Sequence, residues 1–138
     1  MCGINCIINF KNDCNNKVFF SICQKINEEL VHRGPDDSDI WIDEDNLIGL
    51  THRRLSILDL SSSGRQPMHS SSNRYVISYN GEIYNHNEIR KKIIKSNNYN
   101  FKSGTDTETL LESIELFGIE NTLKNLNGMF SFVIWDKY

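Results

Sequence analysis

Cys2 directly follows the initiator methionine and precedes Gly3. Its small side chain does not hinder removal of Met1, which leaves one residue holding both a thiol and a free α-amine. An unperturbed thiol titrates at about 8.5 and an α-amine at about 7.7–8.0. Near neutrality the amine is partly unprotonated and can take the thiol proton, directly or through a water. The chemistry is attack of sulfur on a carbonyl carbon. Taken alone, Met1-Cys2 is more simply a small apolar residue beside a strand, so it needs partners.

Four polar clusters interrupt the hydrophobic pattern and are the places to look for them. In His32-Arg33-Gly34-Pro35-Asp36, Gly34 supplies a positive φ for a helix cap and Pro35 forbids further helix; contact with a substrate is the second reading. In His52-Arg53-Arg54-Leu55-Ser56-Ile57-Leu58-Asp59, an arginine beside a strand can bind a carboxylate through two parallel hydrogen bonds, or make a surface ion pair. Arg53 and Arg54 alternate in facing if the segment is extended, so only one points at a shared site. Asn80-Gly81 is a strong hairpin-turn signal. It also suits an oxyanion hole, in which a side-chain amide and a close glycine N–H meet developing negative charge. In Ser103-Gly104-Thr105-Asp106-Thr107-Glu108, Thr105 and Glu108 read as a capping box and Asp106 suits the helix dipole. A substrate role for Asp106 requires a cationic partner such as an amino acid's ammonium.

The elements that must position these groups follow from periodicity. Strands are expected at Gly3–Phe10, Asp39–Ile42, Leu47–Thr51, Tyr75–Tyr79 and Met129–Trp135. Helices are expected at Val18–His32, with Phe19, Ile22, Cys23, Ile26 and Leu30 on one face, at Asn87–Lys95, at Asp106–Phe117 and at Glu120–Leu126. Strand pairs close together in sequence favour antiparallel pairing.

Composition narrows the function. Of the 138 residues 38% are hydrophobic and 24% charged, enough for one domain with a core. A net charge of −3 with scattered Lys and Arg argues against nucleic acid as a partner. No apolar run reaches the ~20 residues that span a bilayer, and no basic leader with a long apolar run opens the chain. A cytoplasmic protein is expected. Cys2, Cys6, Cys14 and Cys23 contain no C-x-x-C spacing, which disfavours zinc. A reducing compartment disfavours disulfides, and Cys23 sits on a helical apolar stripe as core.

Together the clusters carry a resemblance. Met1-Cys2-Gly3-Ile4, HRGPD (32–36), RLSILDL (54–60), Gln66-Pro67, NGEIYN (80–85), SGTDTE (103–108) and NGMFSFVIWD (127–136) occur in this order. The chain resembles the glutaminase domain of the class II glutamine amidotransferases, nearest to the glutamine-hydrolysing asparagine synthetases. The resemblance implies an α+β fold, the four-layer αββα sandwich of the N-terminal-nucleophile hydrolases with mostly antiparallel sheets. It implies Cys2 as nucleophile and Asn80 and Gly81 as oxyanion hole. Arg54 is then the partner of the glutamine α-carboxylate, and Asp106 of its α-ammonium, helped by the Glu82 segment. Backbone around Leu55, Ile57 and Leu58 lines the same pocket.

The implied activity is hydrolysis of the glutamine side-chain amide through a thioester, with the ammonia used for amidation as in asparagine synthesis from aspartate. L-Glutamine and an ammonia-accepting synthetase domain are the implied partners, with room for a homodimer in the full-length enzyme. No cofactor is implied for the glutaminase half, and ATP and Mg²⁺ belong to the synthetase domain. Residues 1–138 are expected to be a truncated glutaminase domain whose sheet is incomplete at its C-terminus. The alternative is a non-catalytic module that binds glutamine or a partner without turnover. Cys6 departs from the glycine often found there in the family.

Overall fold

The computed structural model describes residues 2–11, 13–55 and 62–138. In chain order these form β1 (Gly3–Ile8), α1 (Asn16–Glu28), β2 (Asp37–Asp43), β3 (Ile48–Arg54), β4 (Met68–His69), β5 (Tyr75–Ile83), α2 (His86–Asn97), α3 (Asp106–Phe117), α4 (Ile119–Asn125) and β6 (Gly128–Asp136). Among the described residues β1, β3 and β2 make one sheet in that order, and β4, β5 and β6 make a second. Every pairing is antiparallel. α1 packs on the first sheet, α3 packs on the second, and α2 and α4 pack on α3. The two sheets meet where β1 and β3 touch β5. The layers read helix, sheet, sheet, helix, which is the expected α+β sandwich.

Strand alternation decides what each face does. On β3, Gly49 and Arg53 look toward α1. A methyl built on Gly49 would lie 2.5 Å from Cys23 Sγ, and Arg53 Nε donates to Asn27 O at 2.9 Å. His52 looks the other way, and its Nε2 donates to the Tyr79 carbonyl of β5 at 3.2 Å, joining the sheets. On β5, Ile77, Tyr79 and Ile83 face the helices and pack with Ile89, Ile93, Leu110, Leu111 and Ile114. Phe19, Cys23 and Leu47 form a smaller core under α1. At about 1.5–3 kcal/mol for each fully buried aliphatic side chain, the larger cluster supplies the greater part of the apolar stabilisation.

Several local expectations are corrected. α1 ends at Glu28 rather than His32, and Val31–Arg33 form a separate short 3₁₀ turn. Its buried stripe is Phe19, Cys23 and Asn27, while Ile22 is 40% exposed. Gly34 has φ −155°, so no left-handed cap is formed. It is small because it lies on β3: a methyl there would sit 2.4 Å from the Arg53 carbonyl. Asn80-Gly81 makes no hairpin turn, since β5 runs through it to Ile83 and pairs Asn80 with Ser131 and Gly81 with Phe130. Gly81 has φ +156°, and a methyl there would lie 2.4 Å from Phe130 Cα. The capping box on α3 is half formed. Thr105 Oγ1 accepts from Glu108 N, but the Glu108 carboxylate turns to the backbone N–H groups of Lys102 and Ser103. The two-residue strand β4 was not expected, and it carries too few residues to show a period.

Candidate active site

Gly3 opens β1 opposite Arg53 of β3. A methyl on Gly3 would lie 3.0 Å from Leu30, toward the helix side. Cys2, one residue earlier, carries its sulfur to the end of β3. Leu55 N donates to Cys2 Sγ at 3.4 Å, and the thiol lies 3.7 Å from Leu55 O. Cys2 is half-buried. The thiol is thus placed against the residue that follows Arg54.

Arg54 is buried on the face opposite Arg53. The alternation therefore separates the two arginines as expected: one serves α1, the other turns inward. Asp36 N donates to Arg54 O at 3.0 Å, so the HRGPD segment is laid along this end of β3. Gly64 forms the seat of the guanidinium. A methyl built there would lie 2.5 Å from Arg54 Nη2 and 3.0 Å from Thr105 Cγ2. Arg54 and the residue before Asp106 thus close around Gly64 and leave no room for a methyl.

Asp106 opens α3, with Thr105 as its N-cap. It is 5% exposed, and its Oδ2 accepts from Tyr79 OH at 2.7 Å and from Ile83 N at 2.9 Å. Both donors belong to β5, on either side of Asn80 and Gly81. Gln66 adds a third tie between α3 and β5: its Oε1 accepts from Tyr79 N at 2.7 Å and its Nε2 donates to Thr107 Oγ1 at 3.2 Å. Burial and the hydrogen bond to Asp106 raise the Tyr79 phenol far above the ordinary tyrosine range, and the nearby charges of Asp106, Glu82 and Cys2 add to the shift. Tyr79 is a permanent donor in this setting.

Asn80 is half-buried on the face of β5 turned to the first sheet, and Gly81 and Glu82 are exposed. Ile57 and Leu58 lie outside the described residues. Leu55 meets the thiol through its backbone. The structure thus gathers Cys2, Leu55, Arg54, Asp106 and the Asn80 strand at one end of the sandwich. A thiol, a guanidinium and a carboxylate in that arrangement suit an acyl-transfer substrate with a zwitterionic end. Tyr79, Gln66 and Gly64 were not singled out as site residues. The available signal for Tyr79 was chemical: a tyrosine inside a buried strand needs a partner for its hydroxyl. Among the described residues no group of three His, Cys, Asp or Glu side chains is placed to hold a metal ion, and no helix is long and apolar enough to cross a membrane.

Comparison with known proteins matches residues 1–138 to a family model described as a glutamine amidotransferase domain. The chain is 39% identical, over 99% of its length, to the putative asparagine synthetase [glutamine-hydrolyzing] 2 of Methanocaldococcus jannaschii, covering 28% of that protein. It is 36% identical over 99% of its length to asparagine synthetase [glutamine-hydrolyzing] 3 of Bacillus subtilis, covering 22% of it. Amidase chry2 of Gibberella zeae is 31% identical over the same share of the chain, which covers 21% of that protein. The chain therefore spans less than a third of the length of these relatives. With its whole length matched by the family model and its α+β sandwich of antiparallel sheets in place, the chain belongs to the glutamine amidotransferase domain family.

Proposed function

We propose that this domain hydrolyses the side-chain amide of L-glutamine, with Cys2 as nucleophile after removal of Met1, and supplies the released ammonia to an acceptor. The observation that carries this reading is the position of the Cys2 sulfur, 3.4 Å from Leu55 N and one residue from the buried Arg54. In this reading Arg54 pairs with the α-carboxylate and Asp106, next to Glu82, with the α-ammonium. The free α-amine of Cys2 takes the thiol proton. Sulfur attacks the amide carbon, and the oxyanion is met by Asn80 and the Gly81 N–H. The amine returns the proton to the leaving nitrogen, ammonia departs and a thioester remains. Water then attacks the thioester, giving glutamate and the free thiol. One oxyanion donor is typically worth about 2.7–4 kcal/mol of barrier, on the order of a hundred- to a thousandfold in rate.

The relatives named as asparagine synthetases support a synthetase domain as the receiver of the ammonia; in this reading ATP and Mg²⁺ are reagents of that second step. The test is glutamine-dependent glutamate release by the parent and by Cys2→Ala, with a mass spectrum of the amino terminus. The expected result is Met1 cleaved in the parent and release lost in the variant. A Cys2→Ala protein that works at the parent rate overturns the reading.

A further inference from the structure

Every polar group of Tyr79 is committed. Its N–H donates to Gln66 Oε1, its carbonyl accepts from His52 Nε2, and its hydroxyl donates to Asp106 Oδ2. Its ring lies 27° from the plane of Phe130 with centroids 6.4 Å apart, and the residue is 3% exposed. The backbone and ring are therefore fixed without the hydroxyl. What the hydroxyl adds is a second bond, beside Ile83 N, on one carboxylate oxygen. Those two donors bracket Asn80 and Gly81 on the same strand. A strand is stiff along its length, so a carboxylate pinned to both sides of Asn80-Gly81 is held at a set distance from them.

We infer that Tyr79 is a positioning residue: through its hydroxyl it fixes the carboxylate of Asp106 relative to the Asn80-Gly81 donors, and so selects the spacing between ammonium and amide in the substrate. This rests on the reading given under Proposed function. A carboxylate with one donor can rotate about its Cβ–Cγ bond, whereas two donors on one oxygen set its plane. An ammonium partner then meets Asp106 in a single place, and an amide one methylene too near no longer reaches the sulfur. One methylene is typically discriminated about 10- to 200-fold by packing, and a fixed ionic anchor sharpens that choice.

The decisive experiment compares Tyr79→Phe with the parent in the full-length protein on two substrates. L-Glutamine carries the α-ammonium; glutaramate has the same amide and carboxylate but lacks it. The expected result is a KM for L-glutamine raised about tenfold or more, as for a lost hydrogen bond to a charged group, with kcat within about twofold. Glutaramate constants stay unchanged. In an Asp106→Asn background, Tyr79→Phe should add nothing to the KM. Equal loss on both substrates marks a merely structural tyrosine and overturns the inference, as does no change on either. If Tyr79→Phe does not fold, Cys2→Ala protein labelled at the tyrosine Cζ replaces it. There L-glutamine should shift the Tyr79 carbon signal and glutaramate should not, and a signal indifferent to both overturns the inference. Failure of the underlying reading looks different: the parent itself shows no Cys2-dependent release.

Discussion

In the proposed reading Asp106 and Cys2 meet opposite ends of the glutamine, and they are held in opposite ways. Asp106 is nearly sealed, with two donors on one oxygen. Around it Glu108 binds the N–H groups of Lys102 and Ser103, the Ser103 hydroxyl and Tyr99 OH. Cys2 is half-buried, and among the described residues its sulfur hydrogen-bonds only with the backbone of Leu55. The difference fits the tasks proposed for them. A group that selects by charge and distance must not move. A sulfur that gains and loses a carbon bond in each cycle is better left without strong hydrogen bonds, which would have to break each time.

The stiff end can be broken through Glu108. Burial pushes its carboxyl up, but the backbone N–H groups of Lys102 and Ser103 and the Ser103 and Tyr99 hydroxyls outweigh that and hold it below the usual range. Arg90 Nη2 lies 3.9 Å away. Glu108→Gln keeps the volume, removes the charge and turns an N–H₂ toward buried donors. A loss of about 3–5 kcal/mol is expected, as when one partner of a buried network is removed. Urea unfolding of both proteins measures it. A change under about 1 kcal/mol would mean that the loop before α3 is not braced in this way, and the contrast between the two ends would dissolve.

The bridge between the sheets is sensitive to pH. Burial holds the imidazole of His52 down to about 4, although the Tyr79 carbonyl pulls the other way. An unfolded histidine titrates near 6.5. Between these values the unfolded chain binds a proton that the folded chain refuses, so stability is full above about pH 6.5 and falls as the pH drops toward 4. A fall of about 2 kcal/mol between pH 7 and pH 5 is expected from this group. Glu108 is also lowered, but because its charged form is favoured, and it loses its contribution only below its ordinary value of 4.5. The two effects therefore occupy different windows. His52→Gln should flatten most of the slope between pH 7 and 5. His69 is also lowered by burial, but it is exposed and stays in the variant. An unchanged slope in His52→Gln would show that His52 is not the group whose titration weakens the fold.

The contrast also explains what could be read from sequence. α3 was legible to the residue, because Thr105 and Asp106 mark its start. That Arg53 and Arg54 face opposite ways followed from period two alone, but which of them turns inward did not. Asn80-Gly81 was harder. A turn signal and a ligand signal use the same residues, and only the pairing with β6 shows that the glycine serves a close strand approach. The Gly34 signal misled in the same way, since closeness to β3 and a cap both call for a missing side chain. On α1 the buried place expected for Ile22 went to Asn27, whose Nδ2 donates to Ser38 Oγ at 2.8 Å and whose carbonyl takes Arg53. Polar groups satisfied across the fold are invisible to a hydrophobic period. Tyr79 and Gln66 were missed for that reason: their partners lie on α3, far along the chain.

Gly64 lies against Arg54 and Thr105 and separates stability from recognition most finely. In Gly64→Ala the new methyl would lie 2.5 Å from Arg54 Nη2 and 3.3 Å from Arg54 Cζ. The atom in the way is the far end of a flexible side chain, so the fold yields cheaply, at about 1 kcal/mol or less. The guanidinium, however, must move. A two-bond contact with a carboxylate depends on the plane and position of that group, and a displacement of about 1 Å near a reacting substrate can cost on the order of a hundredfold. The expected outcome is a melting temperature near that of the parent with the KM for L-glutamine raised about tenfold or more. A melting temperature that falls while KM holds would place the contribution of Gly64 in folding. It would then leave the seating of Arg54 to other neighbours.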